Sequence, residues 1–218
     1  MATYTPLSSL PYPAPADVAD LPAHLKALAD AADGRTVLRF ADAAARDAKI
    51  TAPVSGMVAW LTTSALLTIY DGNAWISPGV WTAYTPTWTA ATTNPTLGDG
   101  TLQGRYALVG NTCHFQLVLA MGSTTAFGSG AYTFGLPVPA GATGVLVQFV
   151  GNAASTGGRA LVSAQLTSTS GATGFTVWGP TSTSTPALGQ IGATGVLGSA
   201  WAKDSGSFFR ISGTYETA

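Results

Sequence analysis

Between positions 85 and 202 the formally charged residues are Asp99, Arg105 and Arg159 alone. A soluble domain normally carries about 25% charged residues, whereas this whole chain carries 9%, with 46% hydrophobic residues and 26 glycines. Helices that face water need Lys and Glu on their outer stripe. Here Gly, Ser and Thr separate short apolar runs instead, a pattern of strands and turns. So little charge also points to a surface partly hidden against copies of the same chain, because exposed monomers keep solubility through charge.

The strands can be read locally. Residues 104–109 and 113–121 are rich in strand formers and are joined by Gly110-Asn111, a hairpin signal. Tyr132, Phe134 and Leu136 alternate with Thr133 and Gly135, and Pro137 and Pro139 then stop the run. Gly-Ala-Thr-Gly occurs at 141–144, 171–174 and 192–195, at unequal spacing, and reads as one turn reused before three strands. Residues 208–216 alternate again, with Phe209, Ile211, Gly213 and Tyr215 on one face. Some eight strands of this kind predict an antiparallel β-sandwich, most simply a jelly roll.

Ahead of this head, residues 1–22 hold Pro6, Pro11, Pro13, Pro15 and Pro22 and read as an extended anchoring arm. Tyr4, Leu7, Leu10 and Tyr12 are its apolar anchors, to be ordered on a partner. Asp20 suits an N-cap, and Leu21, Leu25, Leu28 and Ala32 recur at helical spacing up to Gly34. A helix this short needs a partner to persist, so residues 23–50 are read as a helical trimerisation segment, with Asp42 capping a second helix. The acidic and basic residues of this third of the chain, Arg46 among them, are expected on solvated helix faces. Residues 51–83 read as a three-stranded meander with an Asp71-Gly72-Asn73 turn, Ser77-Pro78-Gly79 as a hinge, and 84–218 as the head. The fold class expected is mainly β: a jelly-roll-like sandwich preceded by a Pro-rich arm, short helices and a small meander.

Two blocks carry a resemblance. Tyr84-Thr85-Pro86-Thr87-Trp88-Thr89-Ala90, with Asn94-Pro95-Thr96-Leu97-Gly98 and Gly104-Arg105-Tyr106, resembles the start of the head domain in fibre-like minor structural proteins of tailed bacteriophages. Residues 39–47, with Gly56-Met57-Val58-Ala59-Trp60 and Tyr70-Asp71-Gly72-Asn73-Ala74-Trp75, resemble a module that precedes such heads. The resemblance implies a homotrimeric virion component, made in the host cytoplasm and joined to other virion proteins through residues 1–34. Its head would meet the host surface, where a cell-surface glycan is the partner class considered. A capsid fibre or decoration protein is the first alternative, and a glycan-degrading tailspike the second.

The chemistry-bearing residues are few. Cys113, the single cysteine, and His114 are strand neighbours on opposite faces and cannot share a metal or substrate. A glycosidase needs two flanking carboxylates, and the head offers Asp99, Asp204 and Glu216, with Asp99 in a Gly-Asp-Gly turn. No catalytic residue, cofactor or metal is therefore expected. Tyr132, Trp178 and Trp201 are the aromatic candidates for ligand contact, with core packing as their other reading. A net charge of −1 argues against nucleic acid. No apolar run reaches the roughly 18 residues of a membrane span, and the N-terminal Met-Ala-Thr-Tyr-Thr-Pro lacks the pattern of a secretory signal.

Overall fold

The structure is a computed structural model that describes residues 3–6, 9–33, 35–184, 187–204 and 206–218. The chain divides into two compact units, Met1–Pro78 and Gly79–Ala218, and the division falls within the Ser-Pro-Gly hinge.

In the first unit, β1 (Thr3–Tyr4) and β2 (Pro11–Tyr12) pair antiparallel. These two short strands pair within the arm whose prolines suggested extended chain. Thr5 closes the pair: its N–H donates to Leu10 O at 2.9 Å and its hydroxyl accepts from Leu10 N at 2.9 Å. Tyr4 and Tyr12 are exposed and Leu10 is half-buried, while Leu7 lies outside the described residues, as does Gly34.

Helix α1 (Leu21–Ala32) begins where Asp20 accepts from Ala23 N at 3.0 Å, and Pro22 occupies its first turn. It buries none of its residues. Then come β3 (Val37–Phe40), α2 (Ala43–Lys49), β4 (Val58–Leu61), β5 (Leu66–Tyr70) and β6 (Trp75–Ile76), in the sheet order β3-β4-β5-β6. The expected meander is β4 to β6. The short strand that the sequence suggests at residues 36–40 is β3, and what the sequence does not suggest is its pairing: it joins as a parallel fourth strand through α2, because parallel neighbours need a crossover and α2 supplies one.

Arg46 on α2 also departs from expectation, being 5% exposed. Its Nη1 donates to Thr68 Oγ1 at 3.2 Å, its Nε to Asp47 at 2.8 Å, and its guanidinium lies 4.3 Å from the Trp75 ring centroid. Burial is tolerable because these partners replace water around the charge.

The second unit holds β7 (Thr82–Tyr84), β8 (Trp88–Ala90), β9 (Thr101–Val109), β10 (Thr112–Ala120), β11 (Tyr132–Gly135), β12 (Gln148–Ser155), β13 (Gly158–Leu166), β14 (Gly174–Pro180), β15 (Leu188–Gln190) and β16 (Phe208–Glu216). All pair antiparallel in one sheet, ordered β7-β9-β10-β16-β12-β13-β14-β11-β8, with β15 on β14. The head is a mainly-β, sandwich-like fold made by one curled sheet. Phe134 on β11 and Phe209 on β16 stand four places apart in that order. Yet their rings stack with centroids 5.1 Å apart and 7° between planes, so the sheet has rolled over onto itself. The β9–β10 hairpin turns at Gly110, whose φ of +59° supplies the left-handed residue such a loop requires. The three Gly-Ala-Thr-Gly segments do not share one turn. The fourth glycine is left-handed in Gly144 and Gly195, but in the middle copy it is the first, Gly171, and the last copy leads into no strand.

Strand β16 lies between β10 and β12. Its Phe209, Ile211 and Tyr215 are each 2% exposed. Burial of each is worth roughly 1.5–3 kcal/mol, against about 5–15 kcal/mol for a whole domain. A chain ending at Gly206 therefore unfolds or aggregates, whereas loss of Thr217 and Ala218 alone leaves most of the stability in place. Thermal melting of the two truncations checks this. A Cβ on Gly213 would stand 2.3 Å from Phe149 Cδ1, so Gly213→Val should cost about 1–3 kcal/mol in denaturant unfolding by overpacking.

Candidate ligand-binding face of the head

Alternation along each strand sends one set of side chains into the core and the other outward. Of the three aromatic candidates, two belong to the inner set. Tyr132 is 2% exposed, donates its hydroxyl to Phe127 O at 2.8 Å and packs edge-on against Trp88. Trp201 is 3% exposed and donates its indole N–H to Gly192 O at 2.8 Å. Neither can be reached by a ligand. Their polar tips have satisfied partners inside, and this is what allows such large rings into the core. Trp178 alone lies on the outer face, half-buried, its Nε1 3.3 Å from Thr176 Oγ1.

The outer face is laid out by the strand registers. One row runs Arg105–Gln116–Ser212–Val150–Ser163–Trp178 across β9, β10, β16, β12, β13 and β14. The neighbouring row runs Gln103–Val118–Arg210–Asn152–Leu161. Two depressions lie over these rows. One, of about 650 Å³, includes Gln103, Arg105, Gln116 and Val118 in its lining. The other, of about 470 Å³, includes Val118, Val150, Asn152, Leu161 and Arg210. They share Gln116 and Val118, so the two adjoin as a shallow groove across this face.

Each arginine on this face is braced by a ring. The Arg105 guanidinium lies 4.7 Å from the centroid of Trp81, and its Nε donates to Gln116 Oε1 at 2.8 Å. Phe208 has Arg210 at 4.3 Å and Arg159 at 5.4 Å. Neither Arg105 nor Arg210 has a carboxylate partner among the described residues. Trp81 remains 43% exposed. Sequence reading overlooked it, since it was assigned to the preceding module. The available signal was Arg105, one of three charges in a long neutral stretch.

Cys113 and His114 do take opposite faces. Cys113 is fully buried, and burial pushes its thiol above the ordinary range. His114 is exposed, with Nδ1 2.8 Å from Thr214 Oγ1. Of the head carboxylates, Asp204 and Asp99 hold loops. Asp204 accepts from Gly206 N at 2.8 Å and Ser207 N at 3.2 Å. Glu216 lies at the far end of β16, roughly 27 Å along the strand, well beyond the separation a carboxylate pair needs for glycoside hydrolysis. Asp99 accepts from Thr124 N and Oγ1 and from Ser123 Oγ, each at 2.7 Å. Among the described residues no cluster of three or more His, Cys, Asp or Glu could hold a metal ion, and no helix is long and apolar enough to cross a membrane.

No protein-family model, curated protein or solved structure matches this chain.

Asp99 gives a test of its turn role. The Thr124 N–H first, then the two hydroxyls, hold its carboxyl well below the usual range. A group with a depressed folded pKa adds stability above its unfolded pKa, near 3.9, and that stability is lost as the pH falls through the folded value. Thermal melts of Asp99→Asn should therefore show a lower Tm than the parent at pH 7. The gap should shrink below about pH 4 as the parent loses its own carboxylate bonds.

Proposed function

We propose that this chain is a non-enzymatic structural fibre protein of a tailed-phage virion. It is attached through its N-terminal region to other virion proteins, self-associates as a homotrimer, and presents the curled-sheet head to the host surface. The observation that carries this reading is the exposed leucine stripe of α1. Leu21, Leu25 and Leu28 are 66%, 56% and 40% exposed, on a helix whose Asp20 cap and Lys26–Asp30 pair at 2.6 Å are already formed. Exposed leucines at helical spacing are what a self-associating seam requires. The head supports it from the other side, with a core of its own and few charges to keep it monomeric.

Sedimentation at micromolar concentration should give a trimer that Leu25→Asp dissociates. A stable monomer of the parent chain would overturn the assembly. Deleting residues 1–34 should leave a folded head that no longer copurifies with particles, and retention on particles would move the anchor elsewhere.

A further inference from the structure

We propose that the groove crossing β9, β10, β16 and β12 binds an acidic, carboxylate-bearing glycan, anchored by Arg105 and Arg210. The proposal rests on the host-binding reading for its biological setting, but its chemistry stands on the groove.

Three observations converge. The groove contains two guanidinium groups and no Asp or Glu in its lining, so its charge is complementary to an anion. Arg105 has Nε committed to Gln116 and its plane set against Trp81. That leaves the Nη donors of a planar fork, and such a fork matches a carboxylate in two parallel hydrogen bonds. Arg210 rests on Phe208 and has no carboxylate partner among the described residues. In the registers above, Arg210 lies two strands over from Arg105 and one pleat repeat along. Sheet spacings put the two Cα atoms roughly 12 Å apart, and this spacing suits a chain with repeated charges better than a single small anion.

The remaining lining fits the rest of a sugar. Gln103, Gln116, Asn152 and Ser212 carry groups that both donate and accept, as hydroxyls do. Val118, Val150 and Leu161 are 38%, 72% and 84% exposed, and present apolar surface to the C–H faces of a saccharide ring. A nucleic acid would call for a denser basic stripe than two arginines among aliphatic side chains.

The test is calorimetric titration of the full-length protein with an oligogalacturonate. Neutral maltooligosaccharide of equal length, inorganic phosphate and a single-stranded thymidine oligomer serve as comparison probes. Oligogalacturonate should bind at least tenfold more tightly than any of these, with affinity falling as salt rises. Arg105→Gln and Arg210→Gln should each weaken it at least tenfold while melting like the parent. Arg105→Lys should recover only part of the loss, because an ammonium keeps the charge without the fork.

Equal binding of the neutral sugar would overturn the acidic class. Equal binding of phosphate or the thymidine oligomer would overturn the glycan, and unchanged binding in both arginine variants would overturn the site. Adsorption of labelled protein to host cells separates the two readings. Glycan binding without adsorption would sink the host role and leave the groove. Adsorption that survives in both arginine variants, without oligogalacturonate binding, would sink the groove and leave the host role.

Discussion

The head depends on one aromatic contact set, centred on Phe134. Its ring meets Phe209 at 5.1 Å, Phe175 at 5.8 Å, Trp88 at 6.3 Å and Tyr132 at 6.4 Å. These partners come from β16, β14, β8 and β11, so one side chain ties four strands of a ten-stranded sheet. An open sheet of that size would leave one face wet. Rolling it over buries the inner side chains against one another, while β7 and β8 end the strand order. Each such ring pair adds about 0.5–1.5 kcal/mol beyond the area it buries. The larger consequence is geometric, because a stack this close fixes which strands lie opposite one another.

Room for two other rings of the head comes from glycine. Phe149 lies over Gly213 and Tyr84 over Gly104, where an added Cβ would stand 2.3 Å and 2.2 Å from ring carbons. Both glycines are on the inner face, in strands whose outer face carries the groove. The groove is therefore a by-product of the core. Once Phe209 and Ile211 point inward, alternation must put Arg210 and Ser212 outward, and antiparallel pairing with β10 sets Val118 and Gln116 beside them. Tyr84 over Gly104 does the same for β7, which sets Ala83 opposite Arg105 with Trp81 two residues before it.

What could be read from the sequence was whatever is local. Asp20 and Asp42 cap the helices expected of them. The Asp71-Gly72 and Gly110-Asn111 turns join the strands they should, and the inward set of β16 follows from its alternation. Long-range pairing was not legible. Nothing in Val37–Phe40 announces a parallel partner at Val58–Leu61, and nothing near Trp81 announces Arg105. Tyr132 and Trp201 are enclosed while Trp178 is not for a related reason: all three are large aromatics with a polar tip, and only the direction of curling decides which are enclosed. The Tyr84 hydroxyl and Trp88 Nε1 are buried without hydrogen-bond partners among the described residues, and no local feature of the sequence marks either.

The arginines show how the same residue is put to different ends. Arg46 has its donors on Thr68 and Asp47 and its face on Trp75, and it is buried. Its ion-pair partner Asp47 is half in water, so the guanidinium is held by hydrogen bonds and ring contact as much as by charge. Such a residue organises its own unit and has little left to offer a ligand. Arg105 has one hydrogen bond to a neutral amide and a ring behind it, and Arg210 has the Phe208 ring alone among the described residues. A ring braces a guanidinium without neutralising it, because the quadrupole supplies attraction but no acceptor lone pairs. In a chain that spends so few charges, two arginines braced by rings on one face, with no carboxylate partner among the described residues, are the part of the head best prepared for an anion.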